Sequence, residues 1–247
     1  MLYFASDFHL GLHNQNVKVQ EQKLLDFLDY ARNNNAEKIF LVGDIFDFWF
    51  EYKRVVPKGY FRFFSKLYDI TNQGIEVFMF KGNHDMWMLD YFEKECGITV
   101  ISDELIFEYK NKKFFVHHGD GLGPGDKSYK ILKKIFRSKI NHWLFSRLHP
   151  NFALGLGLVW SKKSRLAKED FEKKDKYLGD DKEFLTRFCQ AKVEEGTDID
   201  YFIFGHRHLP IDVVLGKSRY VNLGEWIHHN SYAIFDGSDL KLTYWNG

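Results

Sequence analysis

Five short apolar runs, each ending in a cluster of Asp, Asn or His, constrain this chain more than any other feature of its 247 residues. Leu2–Ser6 leads into Asp7-Phe8-His9, Lys38–Val42 into Gly43-Asp44, and Ile75–Phe80 into Lys81-Gly82-Asn83-His84-Asp85. Phe114–His118 carries His117-His118 and continues as Gly119-Asp120, and Tyr201–Phe204 runs into Gly205-His206-Arg207-His208. Such runs read as buried strands. Helical stretches lie between several of them, near Val17–Asn33, Lys58–Asn72 and Asp180–Glu194. Strands alternating with helices predict βαβ units, whose sites form beyond the carboxyl ends of the strands.

From Ile211 onward the chain changes character. Val213–Leu215, Arg219–Asn222, Tyr232–Phe235 and Leu240–Tyr244 are short strands separated by Gly, Asp and Ser, as in a meander. A βαβ-like first half followed by an all-β end predicts an α/β fold of two sheets packed face to face, with helices outside. Neither an internal repeat nor a low-complexity linker divides residues 1–247, so a single domain is expected.

A formal net charge of +1 conceals a segregation. Between Lys127 and Lys168 stand 11 Lys/Arg and no Asp or Glu, leaving 24 basic residues to face all 34 acidic ones elsewhere. The segment is also apolar. Ile131, Leu132, Ile135, Phe136, Ile140, Trp143, Leu144 and Leu148 are spaced as one helix face, His149-Pro150 interrupts, and Phe152–Trp160 follows. Packing on the body accounts for such a segment; so does an anionic, greasy partner. At nine residues, Phe152–Trp160 is far short of the ~20 needed to span a bilayer. The start of the chain lacks a charged n-region and a long apolar stretch, so no signal peptide is expected. Two cysteines without a C-x-x-C pair fit a reducing compartment. A cytoplasmic protein is therefore expected.

The strand-end residues carry the chemistry. Asp-x-His and His-x-His place two side chains on the same side of an extended backbone, so two ligands from one segment can reach one centre. Carboxylates, imidazoles and an amide oxygen suit Mn²⁺, Fe²⁺, Zn²⁺ or Mg²⁺. Each motif alone has an ordinary explanation: Gly-Asp is common, and Gly-Asn favours a turn. Five in succession, each behind an apolar strand, do not.

In this order the motifs resemble the calcineurin-like metallophosphoesterase superfamily, with its D-x-H, G-D, G-N-H-[DE], H and G-H-x-H pattern, over residues 4 to 208. The resemblance implies a four-layer α/β/β/α sandwich of two mixed β-sheets and two divalent ions, with Mn²⁺ the favoured metal. Asp7, His9, Asp44 and His208 would hold one ion, and Asp44, Asn83, His118 and His206 the other, with Asp44 bridging. His84 would donate to the leaving group or transition state, and Asp85 would orient its imidazole. His117 and His13 are read as structural or supporting residues.

Three further stretches narrow the resemblance. Gly43–Phe50, His118–Asp126 and Arg219–Trp226 are similar to segments of the UDP-2,3-diacylglucosamine hydrolases of lipid A synthesis. That family inserts a helical cap where the basic, apolar segment lies, predicting a cap at 122–175. The implied reaction cleaves the pyrophosphate of UDP-2,3-diacylglucosamine to UMP and 2,3-diacylglucosamine 1-phosphate. Asn83, His84, Asp126, Ser164, Lys168 and His206 would contact substrate, and Ile135, Phe136, Trp143, Leu144, Phe152 and Leu156 would line an acyl cleft between cap and body. The best-known branch has Gly-Asn-Arg-Asp where this chain has Gly82-Asn83-His84-Asp85. The expected partners are this UDP-linked lipid and the anionic leaflet of the inner membrane, touched peripherally on its cytoplasmic face. The basic segment lacks a nucleic-acid motif, and no obligate protein partner is evident. The alternatives are a metallophosphoesterase for a soluble phosphodiester, nucleotide or phosphoprotein, and an inactive binding module, against which the intact ligand set argues.

Overall fold

Along β1 (Leu2–Ala5), Leu2 and Phe4 face one hydrophobic core while Tyr3 and Ala5 face another. Both faces of the strand are therefore covered, which explains its unbroken apolar run. The computed structural model describes residues 1–12, 17–122, 127–172, 177–179 and 182–246, without the side chains of 127–129 and 164–172.

β2 (Lys38–Leu41), β3 (Glu76–Phe80) and β4 (Thr99–Ile101) continue the sheet in parallel beside β1. On the other side of β1, β10 (Ser231–Phe235) and β11 (Leu240–Tyr244) add antiparallel strands. The second sheet runs β5 (Leu105–Tyr109), β6 (Lys112–His117), β7 (Tyr201–Phe204), β9 (Ser218–Leu223), β8 (Pro210–Leu215). Its middle pairs are parallel and its outer pairs antiparallel. The four C-terminal strands are thus two hairpins in different sheets rather than one meander.

Register aligns aromatic rings between the sheets. Phe4 pairs with Phe40 and Phe40 with Phe78, and both pairs stack at 4.6 and 5.0 Å between centroids. Phe40 also stacks on Phe107 of the facing sheet at 5.1 Å. Truncating such a ring to alanine costs about 3–5 kcal/mol through the cavity left behind. The outer face of the first sheet is covered by α1 (Val17–Asn33), α2 (Phe61–Asn72) and α3 (Tyr91–Cys96). On α1 the buried face is Gln20, Leu24, Leu25, Phe27, Leu28 and Ala31, a helical period. On the far side, α7 (Phe184–Glu194) lays Leu185 and Cys189 over Phe115, Phe202 and Tyr220. The layers are α/β/β/α, as expected.

Between β6 and α7 the chain runs through α4 (Lys127–Phe136), α5 (Lys139–Phe145) and α6 (Pro150–Glu172), here termed the cap. The single helix expected up to Leu148 breaks at Ser138, which is extended. Pro150 opens α6, the one helical position where its missing N–H costs nothing. The cap is pinned to the body by Lys133–Asp120 at 2.7 Å and Arg137–Asp103 at 2.5 Å, and by the Trp87 indole donating to the Phe136 carbonyl at 2.8 Å.

Candidate metal centre

Beyond their carboxyl ends the strands remain stitched together. The Asp7 N–H donates to the Gly43 carbonyl (3.0 Å), that of His9 to Asp44 (3.0 Å), and that of Trp49 to His84 (3.2 Å). From the second sheet, the Gly205 N–H donates to the His118 carbonyl (2.9 Å), and the Trp226 N–H to that of Asp7 (3.2 Å). This stitching holds unusual backbone. Asp7, His9, Asp44, His206 and His208 all have φ between 48° and 66°. A non-glycine residue in such a conformation costs about 1–3 kcal/mol, and such strain clusters at functional sites.

The motif glycines make room for the ligands. A Cβ on Gly82 would stand 2.1 Å from Asp44 Oδ1, and one on Gly205 would stand 2.5 Å from Asp7 Oδ2. Gly43 adds a φ of +84° beside the His118 ring.

Two ligand groups result. Asp7, His9, Asp44 and His208 offer atoms within 4.8 Å of one another, and so do Asp44, His118 and His206. Asp44 belongs to both. Asn83 Oδ1 lies 3.4 Å from His118 Nε2, at the edge of the second group. His118 Nδ1 donates to the Val42 carbonyl at 2.9 Å, which turns Nε2 toward Asp44 Oδ2 at 3.4 Å.

Burial would raise the Asp44 carboxyl, yet the His118, His84 and His9 imidazoles hold it well below the usual carboxylate range. Burial likewise works against a charged His118, and the Asp44 carboxylate overrides it, lifting His118 to about 10. Asp7 Oδ1 and Asp44 Oδ2 are buried and face imidazole nitrogens, His208 Nε2 at 3.1 Å and His118 Nε2 at 3.4 Å. Two such oxygens among imidazole nitrogens fit divalent cations, whose charge would satisfy them. The donor set contains no thiolate, for Cys96 and Cys189 lie in apolar clusters away from it.

Asp85, expected to orient the His84 ring, is tied to backbone. Its carboxylate accepts the backbone N–H groups of Gly82 (2.7 Å), Ile45 (2.8 Å) and Phe46 (3.3 Å), clamping the Asn83-His84 turn to the loop after β2. Burial, then the nearby Asp44 charge, pushes its pKa up to about 7. The His84 ring is instead held at Nδ1, 2.9 Å from the Asp47 carbonyl and 2.9 Å from Ser161 Oγ. The His84 backbone N–H donates to Asp44 Oδ1 at 2.9 Å.

Sequence reading singles out neither Asp47 nor Ser161. Asp47 is nearly buried and groups with His9 and His84; its only signal is an acid three residues after Asp44. Ser161 carries no sequence signal. His117 is buried and accepts the Gly119 N–H at Nδ1 at 2.7 Å, and burial pushes its imidazole down to about 4. His13 and Asp126 lie outside the described residues, and Ser164 and Lys168 belong to α6 with side chains outside the description.

The cap meets the body along an aromatic seam. Phe48, Phe50, Trp87, Phe136, Phe145 and Trp160 pack there, with Phe50–Phe145 at 4.7 Å and Phe136–Trp160 at 5.1 Å between centroids. Of the expected cleft residues only Phe136 belongs to this seam. Ile135, Trp143, Leu144, Phe152 and Leu156 face outward, 47–62% exposed. On α6 the small residues Ala153 and Gly157 are buried, while Phe152, Leu156 and Val159 are exposed.

The sequence profile of the calcineurin-like phosphoesterase family matches residues 2–210. A UDP-2,3-diacylglucosamine hydrolase of Porphyromonas gingivalis is 37% identical, over 98% of this chain and 96% of that protein. One from Neisseria meningitidis is 30% identical, over 94% and 91%. Among solved structures, a novel archaeal phosphodiesterase superposes with a TM-score of 0.49 at 11% identity, covering 99% of both chains.

Proposed function

The chain belongs to the calcineurin-like phosphoesterase family, and from that premise we propose that it hydrolyses the pyrophosphate of UDP-2,3-diacylglucosamine, releasing UMP and 2,3-diacylglucosamine 1-phosphate. The observation that carries this reading is the pairing of a shared-carboxylate ligand site with a cap that exposes a series of large apolar residues.

Asp7, His9, Asp44 and His208 would hold one divalent ion, and Asp44, Asn83, His118 and His206 the second, with Mn²⁺ the metal proposed. Bound at such a site, divalent ions lower the pKa of a water and neutralise charge on the phosphoryl oxygens. The protein's own groups do the rest. His84 donates to the phosphoryl or leaving oxygen, standing where relatives of the best-known branch carry Arg. Asp85 fixes the turn that presents His84 and Asn83, through its three backbone hydrogen bonds. The seam aromatics exclude water from the junction of cap and body.

The segment 122–175 acts as a cap that receives acyl chains and touches the anionic cytoplasmic face of the inner membrane. Support comes from the outward stripes Ile131/Ile135, Ile140/Trp143/Leu144 and Phe152/Leu156/Val159, together with exposed Lys134, Lys139, Arg147, Lys162 and Lys163. Among the described residues, no helix is long and apolar enough to cross a membrane.

The test is UMP release with Mn²⁺ from UDP-2,3-diacylglucosamine and, as the acyl-free control, from UDP-N-acetylglucosamine. Strong preference for the diacylated substrate is expected. Cleavage of an aryl phosphodiester without release from the lipid would discard the substrate and keep the metal centre.

A further inference from the structure

Ser161 is fully buried on the body side of α6, and its Oγ lies 2.9 Å from His84 Nδ1. That nitrogen is also 2.9 Å from the Asp47 carbonyl oxygen. A carbonyl can only accept, so Nδ1 carries a proton, which the Ser161 oxygen shares. One acceptor decides which nitrogen is protonated but leaves the ring a range of orientations. A second acceptor, arriving from a different element, narrows that range. The body supplies the first and the cap supplies the second.

The depth of Ser161 follows from the face of α6 that precedes it. Ala153, Gly157 and Ser161 recur every fourth residue, and all three are buried. Gly157 lies so close to the Phe48 ring that a Cβ there would come within 2.3 Å of it. The neighbouring Trp160 ring stands 6.4 Å from the His84 ring between centroids, so two successive cap residues border His84.

We propose that Ser161 is a positioning residue: with α6 seated on the body, its hydroxyl holds the His84 imidazole in the orientation from which it serves the phosphoryl group. This rests on the role assigned to His84 above. The same helix carries Phe152, Leu156 and Val159 on its outer side. Contact of an acyl chain there and orientation of His84 are then properties of one element, so the seating of the cap gates the hydrolytic step.

The experiment is a double-mutant cycle on the Mn²⁺-loaded protein, with UMP release from UDP-2,3-diacylglucosamine as the readout. Ser161→Ala should lower kcat roughly 10- to 100-fold, the scale of a misplaced catalytic group, with KM within about twofold. In a His84→Ala background the same change should cost nothing further, because its target is gone. Ser161→Thr, which keeps the hydroxyl, should recover part of the loss. An equal loss in both backgrounds would show that Ser161 acts on packing or on substrate directly, and would overturn the proposal. So would unchanged kcat in Ser161→Ala. Should wild type cleave bis(4-nitrophenyl) phosphate but not the lipid, the proposed substrate fails, and the same cycle on the aryl diester decides the role of Ser161.

Discussion

Gly157 of α6 lies against the ring of Phe48: a Cβ at this position would meet three of the ring carbons at 2.3–2.5 Å. The ring cannot retreat freely, because Phe48 is buried and packs against Trp87 and Phe145 at 5.7 and 6.4 Å between centroids. Gly157→Ala gains about 1 kcal/mol of helix propensity. Overpacking a filled contact costs about 1–3 kcal/mol, so displacement of α6 wins. The expected result is a kcat loss similar to that of Ser161→Ala at unchanged metal content. Adding Phe48→Leu should restore much of it. Wild-type kcat in Gly157→Ala alone would mean that the cap does not need its close seat.

Asp44 serves both ligand groups and also accepts the His84 N–H. Asp44→Asn keeps the volume and one acceptor but removes the charge that burial makes expensive. Activity should fall by more than the roughly 10- to 100-fold typical of outer partners of a metal site. Metal content, read by elemental analysis after dialysis against Mn²⁺, should drop from two ions per chain to one or none. Two retained ions with full activity would overturn the shared-ligand assignment.

These residues were legible in the sequence for a physical reason. Buried strands write themselves as unbroken apolar runs, and Tyr201–Phe204 matches its strand residue for residue. β4 and β5 were not legible, because both are partly exposed and their runs are diluted by Ser, Asp and Glu. Periodicity names a strand but not its partner, so the C-terminal hairpins went to different sheets unannounced. On α6 the apolar run Phe152–Trp160 concealed its polarity, since two glycines and an alanine give no clue that the small side faces in. Asp85 was visible as a neighbour of His84, but its backbone partners were not, and Ser161 reaches the site only through tertiary packing.

Asp200, remote from the ligand groups, sets an expected acid limb of stability. Its carboxylate takes the Lys112 ammonium at 2.8 Å and the Lys113 N–H at 2.9 Å. Burial alone would raise its pKa, and the Lys112 and Lys113 contacts together outweigh it, so the pKa falls below the usual 3.8. A folded-state value below the unfolded one means a stabilising contribution that is present above pH 3.8 and lost as pH falls through the lower, folded value. Asp200→Asn should therefore melt below wild type at pH 7, and the gap should narrow progressively under pH 4. A gap that stays constant from pH 7 to pH 3 would show that the charge contributes nothing.

Two sets of the cap's described cations have opposite expected phenotypes. Lys133 and Arg137 are consumed by the body: Lys133 pairs with Asp120, which is nearly buried, and Arg137 with Asp103 and the Ser102 carbonyl. Lys134, Lys139, Arg147, Lys162 and Lys163 are exposed, and the Arg147 guanidinium lies 4.7 Å above the exposed Trp143 ring. Each exposed cation contributes about 1 kcal/mol near an anionic bilayer. Replacing all five with Glu should weaken binding to vesicles containing phosphatidylglycerol by at least about tenfold, and leave the melting temperature within a few degrees. Lys133→Ala should do the reverse, since the nearly buried Asp120 carboxylate loses its ammonium partner at a cost of about 3–5 kcal/mol. In a chain of this size that is roughly a 6–20 °C loss in melting temperature. Vesicle sedimentation and thermal melts on the same preparations separate the two sets. Unchanged sedimentation of the five-fold variant would leave the outward apolar stripes for the acyl chains of the substrate alone.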